Sequence, residues 1–295
     1  MPATSVQVVA ARFPDVFDHS HYAAGLWRKL SRSAHLGPKY FFSDVPRYLR
    51  HRRALGLRRW DVGVWHNPLR EFFPRIYSRF PSPPYLIEAL ESCRVAGIRF
   101  TIPPIRLDGL VRAWWATREV PGVVLECGTY RGASALLLAV LARLCGLKKV
   151  TVLLDTFTGI PDTCLYDPSR TVGEFRPPAD QVETIRSQAA LLGVADRVEI
   201  LPGRFDETLP QLLARNPTQL SFVHIDANTF SGTWDACRCA IPAISPGGIV
   251  CFDDYNGMCD LGARLAIDQY LGTTPRPRPL AGTSAFVHLL QEASR

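Results

Sequence analysis

Four aspartates stand where short apolar runs stop. Asp155 closes "VTVLLD", Asp226 closes "FVHID", and Asp253 and Asp254 close "GGIVCFDD". A carboxylate carried to the tip of a buried strand is costly unless it is paired or meets a cation. Asp is common in turns and at helix starts, but four at consecutive strand ends point to a functional site.

A second constellation is "VVLECGTYRGAS". Gly128 and Gly132 allow a tight turn and close backbone approach, and the following helix presents free N–H groups. The spacing is GxxxG rather than the GxGxxG of a dinucleotide fingerprint, so the match is weak and a simple strand–helix turn would also explain it. Asp155, 23 residues past Gly132, could accept both hydrogen bonds from a ribose diol. Glu126 could receive an ammonium group, which NAD lacks and S-adenosylmethionine has. It could equally be a loop carboxylate.

These residues need a scaffold that brings strand ends together. From Leu107 onward, β-branched runs lie at Val123–Cys127, Val150–Asp155, Val198–Leu201, Leu220–Ile225 and Ile249–Phe252. Helix-like segments alternate with them at Ser134–Cys145, Ala179–Leu192, Glu207–Arg215, Thr233–Ala243 and Leu261–Tyr270. "RPRPLAGTSAFVHLL" supplies one or two final strands, Ala285–Leu289 being the clearer. Continuously apolar strands alternating with helices predict an α/β, doubly wound, mostly parallel seven-stranded sheet of Rossmann-like type. All its strands end at one edge, where ligands bind, so the four aspartates should line one crevice.

Residues 1–105 read differently and are assigned to a separate region, with the sheet domain at 106–295. They carry 16 Lys or Arg against 7 Asp or Glu, whereas the remainder carries 18 against 20. The basicity concentrates in "PRYLRHRRALGLRRW" (Pro46–Trp60), which could attract an anion or form a solvated or subunit-facing helix. One helix is expected within Pro84–Ala96. Trp27, Tyr40, Phe41, Phe42, Trp60, Trp65, Phe72 and Phe73 could line an acceptor pocket, form a small core or face a second subunit. The region is read as a lid or oligomerisation element. No apolar run suits a bilayer and no secretory signal is evident. The eight scattered cysteines, including the Cys237–Cys239 CxC, read as thiols in a reducing cytoplasm.

Five motifs in order, "VVLECGTYRGASALLLAVL", "LLDTFTGIP", "ILPGRFDETLP", "FVHIDANTFSGTWDA" and "SPGGIVCFDDYNG", make about Leu107–Leu290 resemble the macrocin-type O-methyltransferases. These are class I S-adenosylmethionine enzymes that methylate sugar hydroxyls of natural products. The resemblance implies that Glu126, Gly128 and Gly132 cradle the methionine part of the cofactor, with Thr129, Tyr130 and Ser134 around its carboxylate. It places Asp155 on the ribose with Thr156 and Phe157 beside it, and Gly203, Arg204 and Phe205 along the adenine. It assigns Asp226, Asp253 and Asp254 to a divalent cation, normally magnesium. Such a cation would offset the charge of the acids, lower the pKa of a coordinated hydroxyl and leave open positions for two neighbouring oxygens, as in a vicinal diol or catechol. Asp253 and Asp254 are adjacent and would face opposite ways in a regular strand, so both can ligate only where the chain has begun to turn, which "DDYNG" permits; the plain alternative is an acid pair capping the next helix.

One departure matters. Relatives show a DGD-like pattern after the fourth strand, whereas this chain has Asp226-Ala227-Asn228. Asn228 can orient a substrate but accepts no proton at neutral pH. The candidate catalytic set is therefore Asp226, Asn228 and His224, although a histidine inside a strand is more often a satisfied core residue. His66 could enter from the N-terminal region, and Tyr255 and Asn256 could touch substrate or simply turn the chain. The expected partner is a small acceptor, anionic if the arginines meet it, in a homo-oligomer without nucleic acid or membrane. C- or N-methylation, a rearrangement or cyclisation, and a non-catalytic cofactor-binding subunit are the competing readings. Nucleic-acid modification is disfavoured because "IDAN" is not a DPPY- or NPPY-like motif.

Overall fold

The computed structural model describes residues 80–215, 219–255, 260–272, 277–281 and 284–288. The arginine cluster of Pro46–Trp60, His66, the aromatics from Trp27 to Phe73 and Asn256 lie outside them. Helices α1 (Leu86–Val95) and α2 (Pro104–Ala116) lead into β1 (Val123–Cys127), α3 (Ala133–Leu144), β2 (Thr151–Asp155) and α4 (Gln181–Leu191). Then come β3 (Val198–Pro202), α5 (Phe205–Ala214), β4 (Leu220–Ile225), α6 (Phe230–Ala240), β5 (Ile244–Phe252) and α7 (Leu261–Leu271). β6 (Arg278–Ala281) and β7 (Ser284–His288) close the chain's one described sheet.

The seven strands lie in the order β3-β2-β1-β4-β5-β7-β6. β1 to β5 pair in parallel, and β7 runs antiparallel to both β5 and β6. The chain winds outward from β1 to β3, then returns to the middle with β4. That reversal opens a crevice beyond the carboxyl ends of β1 and β4, the place where doubly wound sheets bind ligands.

Alternate strand residues feed two cores. Val124, Leu153, Phe222, Ile249 and Cys251 pack on one face with α1, α2, α3 and α4. Leu125, Val152, Val223, Val250 and Phe252 pack on the other with residues of α5, α6 and α7. Both faces are covered, which is why the strands lack a polar side. α3 is buried at every residue from Ala135 to Ala142, so it is apolar all round rather than amphipathic. The helix expected within Pro84–Ala96 is α1, and its Leu86, Ala89, Leu90 and Cys93 join the same core as α3.

The elements differ most from the sequence expectation at three places. α2 was not expected; it opens on Pro104, whose fixed φ and missing N–H suit a first helical turn. β5 begins five residues earlier than its apolar run, because Ser245–Gly248 enters the strand through a bulge opposite Leu220–Phe222. α6 begins at Phe230, since the Thr229 side chain caps it by accepting from the Gly232 N–H at 3.3 Å. No helix among the described residues is long and apolar enough to cross a membrane.

Candidate active site

Asp226, Asp253 and Asp254 converge. One carboxylate oxygen from each lies within 4.8 Å of the others, the only such metal-capable group among the described residues. Backbone pairing carries each acid there. The Asp226 N–H donates to the Cys127 carbonyl at 2.9 Å, and the Asp253 N–H donates to the Ile225 carbonyl at 3.0 Å, so the sheet ladder continues one step past its strands. β5 ends at Phe252 and the chain turns over Asp253–Tyr255, which lets both members of the adjacent pair reach the cluster. Asn228 borders it at φ +61°, its backbone N–H donating to Asp254 at 3.2 Å and its amide 3.4 Å from the Asp226 carboxylate.

The electrostatics show acid in excess. Burial and the neighbouring Asp253 charge push Asp226 up to about 7, against the pull of His224 and Arg106. Burial, followed by repulsion from Asp260, Asp226 and Asp253, raises Asp254 well above the carboxylate range. A hard divalent cation would reverse both, and a three-carboxylate donor set is chemically suited to one. Among the described residues, Arg170 pulls on Asp254 and Arg106 reaches Asp253. Arg106, in the first turn of α2, forms an ion pair with Asp253 Oδ2 and lies 3.4 Å from the Asp253 carbonyl. Sequence reasoning missed Arg106, because nothing in "PPIRLDG" announces a helix docking against the end of β5.

His224 belongs to the scaffold between two half-sites. Strand register pairs Glu126 on β1 with His224 on β4, which sets their side chains together on one face. His224 Nδ1 lies 2.8 Å from Glu126 Oε1, and Nε2 lies 4.0 Å from Asp253 Oδ1. Burial works against the charged ring, yet Asp253 and Glu126 outweigh it and hold His224 up at about 10. At 2% exposure and bonded to Glu126, His224 sits in the wall between the two half-sites.

Glu126 is equally enclosed, at 1% exposure. It accepts hydrogen bonds from Thr129 Oγ1 and Ser134 Oγ at 2.6 Å each, in addition to the His224 contact. The residues expected around a methionine carboxylate therefore brace Glu126. This carboxylate shapes the Gly128–Gly132 turn from within. Gly128 is explained by a neighbour as well as by any ligand: at φ +90°, a Cβ would stand 2.0 Å from the Asp226 carbonyl oxygen. Gly132, at φ +78°, leads into α3. Tyr130 holds φ +51° with its ring beside Phe175.

Asp155 reaches the crevice from β2. Its two oxygens accept the backbone N–H groups of Tyr130 and Phe157, each at 2.8 Å, leaving a further lone pair on each oxygen. Burial raises its pKa and those two N–H groups oppose the rise. Phe157 follows at φ +53°, and the Thr156 hydroxyl donates to the Gly159 carbonyl at 2.8 Å. The Gly203 N–H donates to the Asp155 carbonyl at 2.9 Å, bringing the Gly203–Phe205 turn to the same edge. Arg204 turns to Asp162 at 2.7 Å and Asp206 at 3.2 Å, and Phe205 packs into the second core.

The crossover from β2 to α4 is pinned over this edge. Asp162 accepts from Ser231, and Asp167 accepts from the Phe230 N–H at 2.8 Å. Arg170 forms ion pairs with Asp260 and with Glu174, the latter at 3.2 Å. Gly262 leaves room for Asp167, since a Cβ there would lie 1.9 Å from Asp167 Oδ1. Tyr255 donates to Asp268 at 2.7 Å under the Arg264 guanidinium, so it is held rather than free to swing.

Comparison with known proteins agrees with this geometry. The chain is 30% identical over 228 residues to a tetracenomycin-type rhamnosyl 4'-O-methyltransferase of Streptomyces olivaceus, covering 72% of this chain and 79% of that protein. It is 28% identical to the mycinamicin III 3''-O-methyltransferase of Micromonospora griseorubida over 51% of this chain and 61% of the relative. Among solved structures, the calicheamicin methyltransferase CalS11 superposes with a TM-score of 0.56 at 22% identity, over 70% of this chain and 93% of its own. The O-methyltransferase NovP does so at 0.51 and 21%, over 72% and 92%; both likenesses establish the class I methyltransferase fold. The sequence profile of the macrocin-O-methyltransferase (TylF) family matches residues 105–281, well over half of the chain. The chain belongs to the macrocin-O-methyltransferase family, and the crevice at the ends of β1, β2, β4 and β5 is its candidate methyl-transfer site.

Proposed function

We propose that this chain transfers a methyl group from S-adenosylmethionine to a hydroxyl of a small natural product or its sugar, with a divalent cation, normally magnesium, at Asp226, Asp253 and Asp254. The observation that carries this reading is the convergence of three carboxylates beside the Glu126–Ser134 turn in a chain of this family. When bound, the cation supplies acidification of the acceptor hydroxyl and a fixed direction of attack. The chain's own residues do the rest. Asp155 uses its remaining lone pairs for the ribose hydroxyls, and the Gly128–Gly132 turn holds the methionine end. Thr129 and Ser134 act through Glu126, which His224 ties to Asp253. Asn228 orients the acceptor, and Asp226 is the group after β4 that can take a proton. Of residues 1–105, α1 belongs to the sheet domain's core, and the remainder serves as a lid on the acceptor side; the enzyme works as a cytoplasmic homo-oligomer on an acceptor that its arginines favour as anionic.

A second reading has one specific observation behind it. The Arg106–Asp253 ion pair could serve as the cluster's counter-ion without a metal. Calorimetry with S-adenosylmethionine, and turnover of rhamnosylated polyketide glycosides with magnesium or EDTA, separates the two. The primary reading expects cofactor binding, S-adenosylhomocysteine release and loss of turnover in EDTA and in Asp253→Asn. Full turnover in EDTA favours the second reading. Absence of cofactor binding sinks both.

A further inference from the structure

Arg131 lies inside the cofactor turn, between Tyr130 and Gly132, and the chemistry above gives it no task. Among the described residues its buried Nε has no hydrogen-bond partner. No described carboxylate forms an ion pair with it, whereas Arg106, Arg170 and Arg204, around the same crevice, each hold an aspartate. The guanidinium lies instead over the Tyr130 ring, 5.1 Å from its centroid. A partly desolvated cation without a counter-charge is costly, and contact with a ring face offsets only some of that cost.

The surroundings specify the anion that would complete it. The Thr129 and Ser134 hydroxyls each donate their single proton to Glu126 at 2.6 Å, so neither has one left for a ligand. The Tyr130 N–H, one residue before Arg131, donates to Asp155 at 2.8 Å, which ties the turn to the carboxylate assigned to the ribose. The Tyr130 ring meets Phe175 of the β2–α4 crossover with centroids 6.2 Å apart, and the two residues hold φ of +51° and +59°. Aromatic residues keep such strained backbone where a site demands it. Resting on the reading that this chain binds S-adenosylmethionine, we infer that Arg131 takes the carboxylate at the cofactor's methionine end. A guanidinium fork matches a carboxylate in both shape and charge. Thr129 and Ser134 then serve the same end indirectly, by holding Glu126, and Arg131 is the direct contact.

The test uses the full-length chain and two ligands that differ only in the group concerned, S-adenosylmethionine and its decarboxylated form. Each is titrated by calorimetry into wild type, Arg131→Met and Arg131→Lys. Wild type should prefer S-adenosylmethionine by roughly ten- to a hundred-fold, the range for a hydrogen bond between charged groups. Arg131→Met should lose most of that factor for S-adenosylmethionine, yet bind the decarboxylated form no more weakly than wild type does. Arg131→Lys, which keeps the charge without the fork, should fall between the two. If the Met variant fails to fold by circular dichroism, Arg131→Gln is put through the same titrations. Equal weakening of both ligands means that Arg131 only shapes the turn, and overturns the inference. Unchanged S-adenosylmethionine affinity in a folded, charge-removed variant overturns it as well and leaves the methyl-donor reading standing. Binding of neither ligand by wild type overturns that reading and this inference together.

Discussion

Replacing Gly128 by alanine tests whether the cofactor turn and the acid cluster share one piece of backbone. Gly128 sits at φ +90°, and its new Cβ would stand 2.0 Å from the Asp226 carbonyl oxygen. Gly146 offers a control after α3: it sits at φ +67° with nothing within 4 Å of the added atom. Both substitutions force an alanine to positive φ, at roughly 1–2 kcal/mol each. Only Gly128→Ala adds an overpacking clash, about 1–3 kcal/mol. The melting temperatures of the two variants should therefore differ by roughly 2–12 °C for a domain of this size. The atom that must move belongs to Asp226, so Gly128→Ala alone should also weaken Mn2+ binding. Scanning calorimetry with and without Mn2+ reads both effects. Equal melting of the two alanine variants, or undiminished Mn2+ binding by a destabilised Gly128→Ala, would refute the argument that strand packing joins these half-sites.

Other outcomes follow from the same geometry. Saturating Mn2+, at about 100 times its dissociation constant, should stabilise the wild type by about 2.7 kcal/mol, and Asp254→Asn should lose most of that gain in a thermal-shift assay. Asp155→Ala should weaken S-adenosylmethionine binding at least ten-fold by calorimetry, since each lost hydrogen bond to a ligand hydroxyl contributes about 0.5–1.5 kcal/mol and the loop N–H groups of Tyr130 and Phe157 are orphaned. Gly262→Ala should dislodge Asp167 and loosen the segment that carries the already exposed Leu165 and Val172, which limited proteolysis would report as faster cleavage there.

The acids at the strand ends were legible because their signal is local: a β-branched run, then carboxylate. The five parallel strands and the crevice follow from such runs and from the winding rules of parallel sheets. The roles of particular residues were less legible. Gly128 reads as a ligand-approach glycine, yet the atom crowding it comes from Asp226, 98 positions away in the chain. His224 reads as either core or base, and only the β1–β4 register shows it bonded to Glu126. Arg106 carried no signal at all, since its partner is set by how α2 docks on the end of β5. Sequence patterns report burial and turning; pairings between distant elements arise from packing, and the site's charge balance depends on them.

The β2–α4 crossover has a consequence for exchanging acceptor preference between relatives. Its anchors come from four other places: Arg204 before α5, Ser231 and the Phe230 backbone in α6, Asp260 before α7, and the hole left by Gly262. Grafting this segment alone would strand its acids and its arginine without mates. A working chimera must move the loop together with those contact points, as a set scattered over more than half of the sheet domain. Divergence at this wall of the crevice is therefore expected to proceed by coordinated substitutions rather than by loop swapping.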